Sequence, residues 1–203
     1  MMKNIIAFIK EGIIFALIIG VIAVIAFVIF SFNSPLKDST KYDCDVKVVS
    51  LNTKVEVSKN DEKYATISGD VFRVVEDPLQ MTKDGNQVAY AGDDYQFIDQ
   101  DDHAIYVNGS LEVKMDGKFK LFGQAYDLYD KDGHLIGTAE FAPLNFNGHI
   151  YDIDGNEIAR YNRKSFFKDY TSYIKENDIL SDDAILMIFA SSHSDESYDN
   201  RNR

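Results

Sequence analysis

The sequence has no tryptophan, one cysteine, three prolines and four histidines among its 203 residues. A single cysteine excludes a disulfide scaffold and a cysteine-based zinc site. The histidines, His103, His134, His149 and His193, are scattered, and the chain carries no Gly-x-Ser-x-Gly elbow, Walker loop, HExxH pair or Cys–His signature. The acidic pairs Asp93-Asp94, Asp101-Asp102 and Asp182-Asp183 are adjacent residues; on a strand they point apart and make no acid–base dyad by spacing. The chain is therefore expected to be no enzyme, with no catalytic, cofactor-binding or metal-binding residues and no cofactor.

Charge is missing altogether between Gly12 and Pro35, where Ile13–Phe32 is almost entirely Ile, Val, Phe, Leu, Ala and Gly. At 1.5 Å per residue, about 20 residues cover roughly 30 Å, the thickness of a bilayer core. Residues 12–33 are read as a transmembrane helix after a short tail at 1–11, making the protein single-pass. A cleaved signal peptide would have a shorter apolar region and a small-residue cleavage site, and none stands out here. The residues before Cys44, Lys41-Tyr42-Asp43, do not form a lipoprotein context.

Lys3 and Lys10 on one side against Lys37, Lys41 and Lys47 on the other do not decide orientation. The short tail and the acidity of the remainder favour a carboxyl-terminal domain outside the cytoplasm. Gly12, Ala16 and Gly20 recur at intervals of four, a small-residue face through which the span could form a homodimer.

Beyond the span, Ser34–Arg203 holds 19 basic against 32 acidic residues, a net −13. That sign excludes general binding to a nucleic-acid backbone, which requires Lys and Arg to neutralise phosphates. Residues 34–45 read as a linker, with Pro35 and small polar residues. From Val46 onward apolar residues alternate, in Val46 and Val48, Val55 and Val57, Tyr64–Ile67 and Val71–Val75, as half-buried strands require. Asp-Gly pairs at Asp84-Gly85, Asp116-Gly117, Asp132-Gly133 and Asp154-Gly155 supply positive φ for tight type I′ hairpins. At least ten strands follow, which favours a closed barrel or two packed sheets.

The Tyr-Asp-x-Asp-Gly segments at Tyr129–Gly133 and Tyr151–Gly155 also invite a calcium-loop reading. With Gly133 at loop position six, positions one and twelve fall on Leu128 and Ala139; with Gly155 they fall on Ile150 and Tyr161. None of these is a ligand type, so hairpin turns are the favoured reading.

Near the carboxyl end, Ser181-Asp182-Asp183 offers an N-cap and two acidic residues for a helix dipole. The following Ala184–Ala190 is apolar on all sides and too short to cross a bilayer, so it must be enclosed by protein. A mainly β fold results: a transmembrane α-helix, then a closed antiparallel barrel of about 12 strands over 46–193 around a central hydrophobic helix at about 181–192. Residues 194–203 complete the chain as a disordered tail, and the Ser-, Asp- and Asn-rich stretch from Ser191 has no site.

At this point the chain resembles the tubby carboxyl-terminal-like superfamily, which includes LURP-one-related proteins and phospholipid scramblases. The resemblance rests on Gly117-Lys118-Phe119-Lys120-Leu121-Phe122, Tyr126–Gly133, Ile150–Ala159, Phe166–Thr171 and the helix after Ser181-Asp182-Asp183. It implies a barrel threaded by a hydrophobic helix, and a lipid-headgroup ligand at a membrane surface, with calcium-linked lipid movement known in scramblases. The only basic cluster that suits a headgroup is Arg160, Arg163, Lys164 and Lys168, interleaved with Phe166 and Phe167. A solvated, charge-protected strand edge explains the same cluster. The alternative function is a cell-envelope protein-interaction domain without lipid specificity. Cys44, the sole thiol, is expected to report on which side of the membrane the domain lies.

Overall fold

The computed structural model describes residues 34–49, 52–70, 79–93, 103–118, 120, 123–143, 146–163 and 169–199. The expected span at Ile13–Phe32 and its Gly12, Ala16 and Gly20 face lie outside them. Among the described residues no helix is long and apolar enough to cross a membrane. Residues from Pro35 onward form one compact unit.

Twelve strands follow one another: β1 (Ser39–Val49), β2 (Asn52–Lys59), β3 (Glu62–Asp70), β4 (Leu79–Lys83), β5 (Asn86–Asp93) and β6 (His103–Val107). Then come β7 (Ser110–Lys118), β8 (Gln124–Tyr129), β9 (Leu135–Phe141), β10 (Asn147–Asp152), β11 (Glu157–Arg163) and β12 (Tyr170–Lys175), with a helix α1 (Asp182–Asp199) last. Each strand pairs antiparallel with its neighbours in sequence, and β1 pairs with β12, from Ser39↔Lys175 to Cys44↔Tyr170, to close the barrel. Closure leaves no unpaired edge on which another strand could add.

Alternation decides which face of each strand is inside. On β8, Tyr126 and Leu128 are buried while their neighbours are partly exposed, and on β12 the buried alternate positions include Tyr170, Ser172 and Ile174. Inside this wall lies α1, whose residues from Ala184 to Ser192 are all buried. Its contacts come from opposite sides of the bore: Tyr42 on β1, Tyr64 on β3, Glu112 on β7, and Phe141 and Tyr161 on β9 and β11. The helix starts as expected, with the Ser181 hydroxyl accepting the Ala184 N–H at 3.2 Å.

Four details differ from the sequence reading. The strand β1 begins at Ser39, inside the segment read as a linker. Its inward Tyr42 and Cys44 are hidden in the sequence by polar outward neighbours, with Lys41 and Asp43 joined by an ion pair of 2.8 Å. Asp116-Gly117 is no turn: it lies within β7, paired with Asp127 and Tyr126 of β8, and it is Gly123 that takes positive φ.

The loops at Asp132-Gly133 and Asp154-Gly155 are hairpin turns, but only the glycines take positive φ, at 83° and 81°. Type I′ needs two such residues; these are longer, bulged reversals closed by Asp130 N–H to His134 O and Asp152 N–H to Asn156 O, both 2.9 Å. The helix also continues to Asp199 through residues read as disordered, because no Gly or Pro interrupts it and propagation adds one hydrogen bond per residue. Val71–Val75 lies outside the described residues, as do the first residues of the expected Phe166–Ile174 strand.

The plug, α1, supplies much of the core, so its largest buried side chain should dominate stability. Phe189→Ala is expected to cost about 3–5 kcal/mol in denaturant unfolding. Leu135→Ala, at a position 46% exposed, should change stability by less than about 0.5 kcal/mol.

Candidate functional site

Because α1 occupies the bore, groups able to act on another molecule must be sought on the outer faces and at the two ends. At one end are the short turns β2–β3, β4–β5, β6–β7, β8–β9 and β10–β11, and the approach to α1. The remaining strand connections leave from the other end, where β11 finishes at Arg163.

At the turn end a polar network grips the first turn of α1. Tyr42 donates its hydroxyl to Asp182, and Lys59 Nζ donates to Tyr42 at 3.1 Å. Tyr64 donates to Asp183 at 2.8 Å, while Lys83 Nζ reaches both Tyr64 and Asp183 at 2.8 Å. The tyrosine rings meet edge to face at 5.0 Å, and Lys83 lies 4.0 Å from the Tyr64 ring centre. Glu112 completes the grip by accepting the Ser181 N–H at 2.6 Å and hydroxyl at 2.9 Å.

Burial, then the Asp182 hydrogen bond, raises the Tyr42 hydroxyl well above its ordinary range; burial also raises Tyr64. For Lys83 burial acts downward, but Asp183 and Tyr64 outweigh it and the ammonium is held above its usual value. Tyr42 and Tyr64 are thus held neutral, and Lys83 cationic, near neutral pH. The geometry of the network serves to hold the helix.

A second constellation lies on the outer face of β10 and β11. Glu157 accepts from His149 Nδ1 at 2.6 Å and from Arg160 through Nε at 2.8 Å and Nη2 at 2.6 Å. The fork of two parallel bonds is the strong, directional form of a carboxylate–guanidinium pair. Burial pushes the Glu157 carboxyl up, but the hydrogen bonds from His149 and Arg160 outweigh it and bring it down from 4.5 to about 2. Arg160, expected as a headgroup contact, is therefore engaged by its own strand.

Of the other three basic residues, Arg163 stands 5.8 Å from the ring centre of Phe146, which is 39% exposed. Lys164 and Lys168 lie outside the described residues.

Asp130, Asp132 and His134 bring possible ligand atoms within 4.8 Å of one another, on an exposed turn. Their geometry is accounted for by that turn: Asp130 Oδ1 accepts the N–H groups of Asp132 and His134 at 2.9 and 2.8 Å. Asp152 does the same for Asp154 and Asn156 at 2.9 and 2.7 Å, with an asparagine in place of the histidine. The shared role is turn closure; the Asp130 carboxyl is lowered first by the His134 N–H, and that of Asp152 first by the Asn156 side-chain amide at 2.9 Å.

Sequence reasoning missed the helix grip. Tyr42 and Asp182 are 140 positions apart and Tyr64 and Asp183 are 119 apart, so no local spacing announces them. The only available signal was the pair of acidic residues after Ser181. No family model, curated protein or solved structure matches the chain.

Two outcomes follow. Glu157 has a depressed carboxyl, so its contribution to stability is complete above about pH 5 and lost as pH falls toward 2. Glu157→Gln should cost roughly 1–2 kcal/mol at pH 7, discounted for solvent screening at the outer face, with the gap from the parent closing by about pH 2 in denaturant melts. Cys44 is fully buried against β12, its sulfur 4.0 Å from the Ser172 hydroxyl. It should resist maleimide in the folded protein on either side of a membrane and react only with denaturant, so it cannot serve as the topology reporter expected of it.

Proposed function

We propose that the chain is a single-pass, membrane-anchored, non-enzymatic barrel of the tubby and LURP-one-like kind, held outside the cytoplasm, which binds phospholipid headgroups on its exterior. The observation that carries an exterior ligand is the filled bore: α1 is buried from Ala184 to Ser192 where a container-type barrel would hold its ligand. The headgroup contact is assigned to the end where β11 finishes, through Arg163 beside exposed Phe146, together with Lys164 and Lys168, which follow in the chain. Arg160 is left out of that contact because Glu157 holds it. The tubby-like resemblance supports the same ligand class, and Ile13–Phe32 provides the anchor that keeps the barrel at a bilayer.

The competing reading is a protein partner in the cell envelope, and the engagement of Arg160 by Glu157 favours it. Flotation of residues 35–203, which contain every strand and the plug, separates the two. Binding is expected to liposomes containing phosphatidylserine and not to phosphatidylcholine alone, measured with and without calcium. Each basic residue is worth about 1 kcal/mol at an anionic surface, so Arg163→Ala, Lys164→Ala and Lys168→Ala together should weaken binding roughly 100-fold. No flotation with anionic lipid in either condition sinks the headgroup reading and leaves the protein partner.

A further inference from the structure

The plug presents the barrel with a nearly uniform surface. Ala184, Ile185, Leu186, Met187 and Ile188 cover the circumference of α1, and each is fully buried. Apolar burial is non-directional and scales with area. Turning such a helix about its axis, or sliding it by a fraction of a turn, keeps most of that area out of water. Hydrophobic burial holds α1 in the bore without choosing its setting there.

At its first turn directional contacts arrive from several strands. Asp182 and Asp183 project about 100° apart on the helix and are met by different strands, Asp182 by Tyr42 of β1 and Asp183 by Tyr64 of β3 and Lys83 of β4. Bonds from two directions fix a rotation that one bond would leave free. Glu112 on β7 holds Ser181 from another side and fixes the depth. Further along, Phe189 packs edge to face against Tyr161 and Phe141, with centroids 5.0 and 6.5 Å away, and seats the second half of the plug.

We propose that the Tyr42–Asp182 and Tyr64–Asp183–Lys83 contacts are a latch that selects one rotational setting of α1. Breaking the latch leaves a folded barrel whose plug samples several settings in its first two turns. Polar groups in an otherwise apolar interface act in this way when they fix register at some cost in stability. The device gives the barrel an internal element with discrete states, set by five side chains at the turn end.

The test is methyl NMR and amide hydrogen exchange on the full-length chain. Tyr42→Phe with Tyr64→Phe removes both hydroxyl donors and keeps both rings, while Asp182→Ala with Asp183→Ala removes the acceptors. In both variants a cooperative melt should persist, with the Ile185 methyls giving a second set of signals at roughly a tenth of the intensity or more. Amides in the first turns of α1 should exchange faster while those of the strands hold. Phe189→Leu leaves the latch intact and should lower the melting temperature without splitting Ile185. A single sharp Ile185 set with unchanged α1 protection in both latch variants overturns the proposal, because packing then chooses the setting. So does loss of all cooperative structure in both, which would make the network a stability element. Splitting of Ile185 by Phe189→Leu alone overturns it too.

Discussion

An α-helix apolar on every side has to be kept from water around its whole circumference, and α1 imposes that demand on everything before it. A helix with its side chains is about 10 Å across, whereas a barrel of eight strands has room only for the side chains of its own wall. Twelve strands provide the wider bore. The wall is also thinned from within: Ala65, Ala89, Ala91, Ala139 and Ala159 are buried inward-facing residues on four strands, each 0–1% exposed. Larger side chains line the remainder, including Ile67, Ile105, Leu128 and Ile150, so the helix and wall close on each other without either forming a core alone.

The connectivity makes this demand compatible with a simple chain path. Every strand pair except one joins neighbours in sequence, through turns that are mostly short at one end of the barrel. The exception is the β1–β12 seam, and it shares its timing with the plug, since β12 and α1 are the last elements of the chain. The long-range commitments therefore come together: closing the seam, burying α1 and forming the bonds from Tyr42 and Tyr64 all need residues that appear at the carboxyl end. Loop-closure entropy for these contacts has to be met at one step, which places this fold among the slower, non-local topologies.

How much of this was legible in the sequence depended on whether a feature was local. The enclosed helix could be read from Ala184–Ala190, because a short run apolar on all sides has few homes, and enclosure in turn implied a barrel. Turns carrying two residues of positive φ, such as Asp84-Gly85, were visible, since their chemistry lies in adjacent residues. The same dipeptide misled at Asp116-Gly117, where pairing with β8 overrode a local preference. The start of β1 was hidden because only Tyr42 and Cys44 face inward, between charged neighbours. Arg160 illustrates the limit for the site: its charge is plain in the sequence, but its engagement depends on a cross-strand register that sets it opposite His149, and on Glu157 three positions before it.

A net −13 on the domain argues at first against any anionic surface, but distance and screening divide that charge. At physiological salt the Debye length is about 8 Å, and charges farther apart than this scarcely feel one another through solvent. The carboxylates of the β10–β11 turn, Asp152 and Asp154, lie at the start of β11, and Arg163 lies at its end. Seven strand residues at about 3.3 Å each separate them by roughly 20 Å, more than twice the screening length. Asp169, next to the Tyr170 that pairs with Arg163, accepts the backbone N–H of Val46 at 2.8 Å, and Glu140 is paired with Lys120 at 2.8 Å. Asp152 and Asp154 therefore lie beyond the screening length of Arg163, whose nearer surroundings set its local field. Net charge then bears on solubility and long-range approach, and the charges within a screening length of Arg163 on what meets it there.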